Sequence, residues 1–236
     1  MKSFREVFPE KKVFLAVIHA QSYFQVLRNV SVAQENGADG VFLISHGTLS
    51  DRELIRMYRT LRDERRGHSL PPFWMGLNCL GMGNEVFSGV PKDADGIWLD
   101  SLGVESSRPY QPEAQQVRRA RGESGWEGLL FGGVAFKYQR QVRDSELAQV
   151  ARRAAYFTDV LVTSGSATGV APSVEKARII KEGVGDFPSA IASGMTPENV
   201  WEYLPYADAF LVATGISSDF TALDPRKVRA FSQAMK

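Results

Sequence analysis

Eight short apolar runs, each followed by a segment of helical period, set the tightest limit on what this chain can fold into. The runs lie at residues 13–18, 41–44, 73–77, 97–99, 128–136, 160–163, 189–192 and 210–213. The first, Val13-Phe14-Leu15-Ala16-Val17-Ile18, has no polar alternation and suits a strand buried on both faces of a parallel sheet. Between the runs the pattern predicts helices over 23–36, stopped at Gly37, and over 51–66, entered through Ser50 and stopped at Gly67. Further helices are predicted over 112–121, over 144–156 with Asp144 as N-cap, and over 174–182, with a short helical stretch near Asn84. Thr196-Pro197-Glu198 and Asp224-Pro225 each read as a helix start, with a capping side chain followed by proline in the first turn. Eight βα units in 236 residues leave about 30 residues per unit, compact for a (β/α)8 barrel of typically ~250 residues.

A finer period supports that count. Ala38-Asp39-Gly40, Ala94-Asp95-Gly96, Thr158-Asp159 and Ala207-Asp208-Ala209 stand immediately before the second, fourth, sixth and eighth runs. Odd runs instead follow proline or an aromatic, as at Pro72-Phe73 and Phe187-Pro188. A repeat every two units is what a barrel of four βαβα quarters leaves in its sequence. The alternative is an open doubly wound sheet, in which Asp and Gly are merely common turn formers. No Gly-x-Gly-x-x-Gly follows the first run, which counts against that sheet as a dinucleotide binder. The expectation is therefore an α/β chain with a single domain over residues 1–236, a (β/α)8 TIM barrel.

Charge and cysteine content exclude several partners. Lys+Arg is 28 and Asp+Glu is 27, so no net field draws the chain to nucleic acid or an anionic membrane. A single cysteine, Cys79, allows neither an intrachain disulfide nor a Cys-based zinc site. No apolar run approaches the ~20 residues of a membrane span, and Met1-Lys2-Ser3-Phe4-Arg5-Glu6 is not a secretory leader. A cytoplasmic location is the expectation.

In such a barrel the active site forms at the C-terminal strand ends. Reading those ends gives His19, His46, Asn78 with Cys79, Asp100, Lys137, Thr163 with Ser164, Ser193 and Thr214. Two of the three histidines fall there. Asp100 and Lys137 each close an apolar run, and a carboxylate in that position must meet a cation, a metal or water. They sit on neighbouring strands, so they form either a structural ion pair or an acid/base pair; Lys137 could also contact a carbonyl or phosphate, or form a Schiff base. Cys79 turns away if Asn78 faces the mouth. The segments Ala192-Ser193-Gly194-Met195 and Ala213-Thr214-Gly215-Ile216 follow the seventh and eighth runs, where barrel enzymes often hold phosphate on backbone N–H groups. Gly165, Ser193, Gly194, Met195, Thr214, Gly215 and Ile216 are the expected phosphate-binding residues. Small residues for tight βα turns are the competing explanation.

Several of these segments resemble a known family. Val162-Thr163-Ser164-Gly165-Ser166-Ala167-Thr168-Gly169, Ala192-Ser193-Gly194-Met195-Thr196-Pro197-Glu198-Asn199-Val200, Tyr206-Ala207-Asp208 and Leu223-Asp224-Pro225-Arg226-Lys227-Val228 are similar to motifs of the BtpA family. The resemblance is good over roughly residues 130–236 and weaker before, where Val17-Ile18-His19, Ala38-Asp39-Gly40-Val41 and Gly76-Leu77-Asn78-Cys79-Leu80 carry it. It implies a barrel of the ribulose-phosphate-binding type. It also implies a link to photosystem I biogenesis in cyanobacteria, or to sugar or nucleoside metabolism elsewhere. The departures are Ala20-Gln21-Ser22-Tyr23 in place of a proline-rich segment, Tyr138 in place of a His after Lys137, and Ser217-Ser218-Asp219 where the family often carries a lysine. The 193–200 segment also looks like phosphoribosylanthranilate isomerase, whose first-strand Lys-x-Cys-Gly is replaced by Ala16-Val17-Ile18-His19.

Three readings of function follow. The first is an isomerase, epimerase or lyase acting on a phosphorylated sugar or nucleotide-like metabolite, with His19, His46, Asn78, Asp100 and Lys137 doing the chemistry. It needs no cofactor. The second is a metal-dependent hydrolase in which His19, His46 and Asp100 hold a divalent ion. The third is a non-catalytic assembly or regulatory factor, which would expose aromatic surface. A homo-oligomer is expected on general grounds.

Overall fold

The computed structural model describes residues 2–9, 12–47 and 49–236. Eight parallel strands close into a barrel in chain order. They are β1 (Val13–Ala20), β2 (Gly40–Ser45), β3 (Trp74–Asn78), β4 (Gly96–Leu99), β5 (Leu129–Gly133), β6 (Val160–Ser164), β7 (Ser189–Ala192) and β8 (Ala209–Val212). The helices are α1 (Phe4–Val7) before the barrel, then α2 (Tyr23–Glu35), α3 (Asp51–Gly67), α4 (Val86–Gly89), α5 (Pro112–Ser124), α6 (Asp144–Ala154), α7 (Val174–Val184), α8 (Val200–Tyr203) and α9 (Pro225–Ala234). The (β/α)8 expectation holds, and the open-sheet alternative falls with the β1–β8 pairing, in which Val13 partners Ala209.

The core divides by strand parity. Along β1, Val13, Leu15 and Val17 point into the barrel lumen, while Phe14, Ala16 and Ile18 pack under the helices. Phe42, Trp98, Phe131 and Trp74 fill the lumen with ring contacts of 5.0 to 5.8 Å between centroids. Glycines on the same parity make the room: a Cβ on Gly76 would lie 2.4 Å from the Phe42 ring, and one on Gly96 2.4 Å from the Trp74 ring. At the N-terminal end Phe4 of α1 and Phe8 just after it close the lumen. Each buried phenylalanine contributes about 1.5–3 kcal/mol.

The two-unit period has a physical origin. Asp39, Asp95, Asp159 and Asp208 each accept the backbone N–H of an odd strand's start: Phe14 at 2.9 Å, Met75 at 2.9 Å, Leu130 at 2.7 Å and Ser189 at 3.0 Å. A cation from the end of the helix after the preceding even strand then meets three of these carboxylates. Arg62 reaches Asp95, Arg121 reaches Asp159, and Lys181 reaches Asp208. Four quarters thus repeat one clamp at the face opposite the candidate site. The repeat at that face serves stability rather than chemistry.

Three local expectations are corrected. The fifth strand ends at Gly133, not at 136. Val134 N still reaches Val162 O, but Ala135 sits at φ +48°, outside the β region, and pairing stops. The N-cap of α6 is the extended Arg143, and Asp144 is its first helical residue. Finally, 196–199 form a turn and α8 begins at Val200. Asn199 explains this: its Oδ1 accepts from Thr196 N at 2.9 Å and its Nδ2 donates to Gly194 O at 2.9 Å, so this side chain folds the turn back on itself.

Candidate functional site

Strand parity carries His19, Asn78 and Asp100 to the lumen side at the C-terminal mouth. Each continues an inward row: Val13-Leu15-Val17 to His19, Trp74 to Asn78, and Trp98 to Asp100. Cys79 takes the opposite parity, packs in the outer core, and has its thiol pushed up to about 12 by burial, helped by Asp51. The expectation that it turns away is met.

Asn78 is 1% exposed and donates through Nδ2 to Asp100 Oδ1 at 2.9 Å. Burial raises the Asp100 pKa above the ordinary carboxylate range, while the Asn78 bond and the Lys137 charge pull less strongly the other way. Among the described residues Asp100 joins no ion pair, so the expected Asp100–Lys137 pair is not formed. The truncated β5 is the reason: Lys137 lies four residues past its strand, carried by a turn rather than by the sheet.

That turn takes Lys137 toward β6 and β7. Its backbone N–H donates to Ser164 Oγ at 2.8 Å, and its Nζ reaches Thr168 Oγ1 at 3.1 Å and Ser193 Oγ at 3.4 Å. Tyr138 packs its hydroxyl on the same Thr168. Ala135, Tyr138 and Ser193 all hold positive φ, at +48°, +60° and +77°. Strained backbone of this kind costs of order 1–3 kcal/mol per residue and gathers at functional sites.

His19 is buried beside the loop after β8. Its ring stacks on Phe220 at 4.1 Å, and its Nδ1 lies 3.1 Å from the Phe220 carbonyl. A carbonyl only accepts, so Nδ1 carries the hydrogen and Nε2 is the basic nitrogen. Burial lowers the His19 pKa, opposed by the Phe220 carbonyl and reinforced by His46 and Lys137. His46 is exposed and packs edge-on to both rings. Phe220 was not among the residues picked from the sequence. Its signal is a lone aromatic in the otherwise polar Ser217-Ser218-Asp219-Phe220-Thr221 loop.

The glycine cradle is a set of close loop crossings. A Cβ on Gly165 would lie 2.1 Å from Val170 O, one on Gly194 2.0 Å from Ala171 N, and one on Gly215 2.0 Å from Met195 O. These glycines let the loops after β6, β7 and β8 lie against one another. Met195 and Ile216 bury their side chains in the outer core, so they can offer a ligand only backbone. Thr214, Gly215 and Ile216 form a single 3-10 turn. A cavity of about 560 Å³ beside Thr214 and Gly215 is lined by Glu198 and Asp224 as well as Arg226 and Lys227. Lys227 reaches the loop after β8 from α9, donating to Ser217 O at 2.8 Å, where no lysine stands in the loop itself. No group of three His, Cys, Asp or Glu side chains among the described residues is placed to hold one metal ion, so His19, His46 and Asp100 do not form the ligand set the hydrolase reading requires.

Residues 109–236, more than half the chain, match the BtpA family. The chain belongs to the BtpA family. The match covers β5 to β8 and the loops just described, the half in which the motif resemblance is densest. An uncharacterised protein of Thermococcus kodakarensis is 33% identical over 106 residues, 45% of this chain and 40% of the relative, so the match spans less than half of that relative's length. Solved structures give the fold over the whole chain. A (S)-3-O-geranylgeranylglyceryl phosphate synthase from Thermoplasma acidophilum, in complex with its substrate sn-glycerol-1-phosphate, aligns with a TM-score of 0.70 at 15% identity, covering 100% of this chain and 99% of that one. Phosphoribosyl anthranilate isomerase from Thermus thermophilus aligns with a TM-score of 0.63 at 16% identity, covering 94% and 97%. Among the described residues of this BtpA-family chain, no helix is long and apolar enough to cross a membrane.

Proposed function

We propose that the mouth binds a phosphorylated small molecule and transfers a proton within it, as an isomerase, epimerase or lyase does. The observation that carries this reading is the placement of Lys137. Its Nζ spans the hydroxyls of Thr168 and Ser193 and joins no ion pair among the described residues. A cation seated between two hydroxyls beside crossed glycine loops is suited to an anionic oxygen, and folds of this kind hold phosphate in that quarter of the mouth. The sn-glycerol-1-phosphate bound by the synthase neighbour is in keeping with it.

Asp100, its pKa raised by burial, is suited to general acid/base work, and Asn78 orients it. His19 Nε2 is the second basic atom. The phosphate supplies orientation energy remote from the reacting carbon. Titration calorimetry with ribose 5-phosphate and with free ribose tests the reading. Wild type is expected to bind the ester and not the sugar, and Lys137→Met to weaken the ester about tenfold or more. Equal affinity for the two ligands, or an unchanged Lys137→Met, would sink it.

The assembly-factor reading expects exposed aromatics, and Phe24, Tyr110, Tyr138, Tyr156 and Trp201 are more than half exposed. They stand on separate helices and loops, and among the described residues no ring contact joins them to one another.

A further inference from the structure

A cavity of about 520 Å³ opens between the loop after β5, the loop after β6 and the first turn of α7. Lys137, Arg140 and Lys176 line it, with the Ser166 and Ser173 hydroxyls, and no acidic residue does. Other cavities of this molecule offset their cations. Arg62, Arg65 and Arg66 share one of about 710 Å³ with Asp39 and Asp95. Arg226 and Lys227 share theirs with Glu198 and Asp224. Arg143, three residues along from Arg140, is paired with Glu146. None of the three cations joins an ion pair among the described residues; Arg140 also lines an adjoining cavity of about 340 Å³ with Glu105 and Glu113, and Lys137 and Lys176 do not.

Lys176 is held in place. Its Nζ donates to Ala135 O at 2.5 Å and Ser164 O at 2.7 Å, which leaves one of its three hydrogens for an occupant. Burial lowers its pKa, with Asp144 opposing from outside the cavity wall. The backbone is fixed too, since Gly165 lies against Val170 and Ala171 too tightly for any side chain. Three cations in a lining that holds no acid make the cavity favourable to an anion.

We infer that this cavity is a second anion subsite that takes a phosphate or carboxylate group. Lys137 is the wall it shares with the mouth, so the ligand carries two anionic groups, one on each side of that lysine. The second statement rests on the phosphorylated-ligand reading; the first does not.

Amide NMR during titration with inorganic phosphate separates them. Saturable shifts are expected at Gly165 and Ser166 for the cavity, and at Gly194 and Gly215 for the mouth. Arg140→Gln replaces an exposed side chain, and should weaken binding at the first pair about tenfold while the second pair titrates as before. Shifts confined to Gly194 and Gly215 overturn the subsite and leave the mouth reading standing. Shifts confined to Gly165 and Ser166 uphold the subsite and overturn the mouth reading. No shift at either overturns both. Fructose 1,6-bisphosphate should bind about tenfold tighter than fructose 6-phosphate and lose that advantage in Arg140→Gln. Equal affinities for wild type overturn the doubly anionic ligand.

Discussion

Asp208 is the most heavily used of the four clamp carboxylates, and its removal has a magnitude that the structure fixes. Its side chain is 4% exposed and meets Lys181 at 2.8 Å, Arg5, and the backbone N–H of Ser189 at 3.0 Å. Asp208→Ala leaves the Ser189 N–H buried without an acceptor, a loss of about 1–3 kcal/mol. It also removes one partner each of Lys181 and Arg5, and breaking a buried pair from one side costs about 3–5 kcal/mol. Arg5 is half exposed and Lys181 one-fifth exposed, so water recovers part of that second amount. The expected total is about 3–5 kcal/mol, or about 6–20 °C in Tm for a chain of this size. Urea unfolding of wild type, Asp208→Ala and Asp208→Asn measures it, with Asn losing less because its Oδ1 still accepts from Ser189. The pH dependence adds a second check. Burial raises the Asp208 pKa, but Lys181, the Ser189 N–H and Arg5 together outweigh it and hold the group below its ordinary value. Its contribution is therefore present above the unfolded value and lost as pH falls through the folded one. Both variants should flatten the acid limb of the stability curve. A loss under about 1 kcal/mol for Asp208→Ala would refute the clamp as a source of stability.

Asp100→Asn should keep the Asn78 contact, raise stability at pH 7 by up to about 1 kcal/mol, and abolish turnover of any substrate found; the folded carboxylate is penalised above its raised pKa, and that penalty goes with the charge. Thermal melts read the first part, and a destabilised Asp100→Asn would contradict it. Gly194→Ala places a Cβ 2.0 Å from Ala171 N at φ +70°, so it should cost about 1–3 kcal/mol and weaken phosphate-ester binding by displacing the loop after β6; unchanged calorimetric affinity would show that this crossing does not shape the site. Lys176 is pushed from 10.5 down to about 8 by burial, with Asp144 opposing. Between those values the unfolded lysine holds a proton that the folded one has released, so the stability of wild type relative to Lys176→Met should rise from pH 8 to 10.5. Urea midpoints across that range that run parallel for the two proteins would refute it.

The sequence was informative where the physics is local or periodic. Apolar runs without alternation read as strands buried on both faces, and β1 and β2 are buried at every position. Ser50 caps α3 as its sequence position implies, because a hydroxyl before a helical run satisfies a free N–H whatever the rest of the fold does. Parity carried His19, Asn78 and Asp100 to the mouth and Cys79 away from it. The misreadings arose where distant groups decide. Nothing near 128–136 announces that Ala135 adopts a left-handed conformation, because Lys176 forty-one residues on and the Ser164 hydroxyl hold that turn. Asn199 undid the helix start at Thr196 by folding back onto Gly194. The glycines of the cradle were visible, but what they face was not.

By itself, then, the sequence determined eight βα units, a four-fold Asp period and the polar residues at the strand ends, since these follow from burial and periodicity within one element. Tertiary structure alone decided that the period is a clamp, that Lys137 meets Ser193 and Thr168 rather than Asp100, that Phe220 stacks on His19, and that Lys137, Arg140 and Lys176 share an acid-free cavity. Each of those contacts joins residues from different loops, and barrel closure, not sequence distance, sets which loops become neighbours.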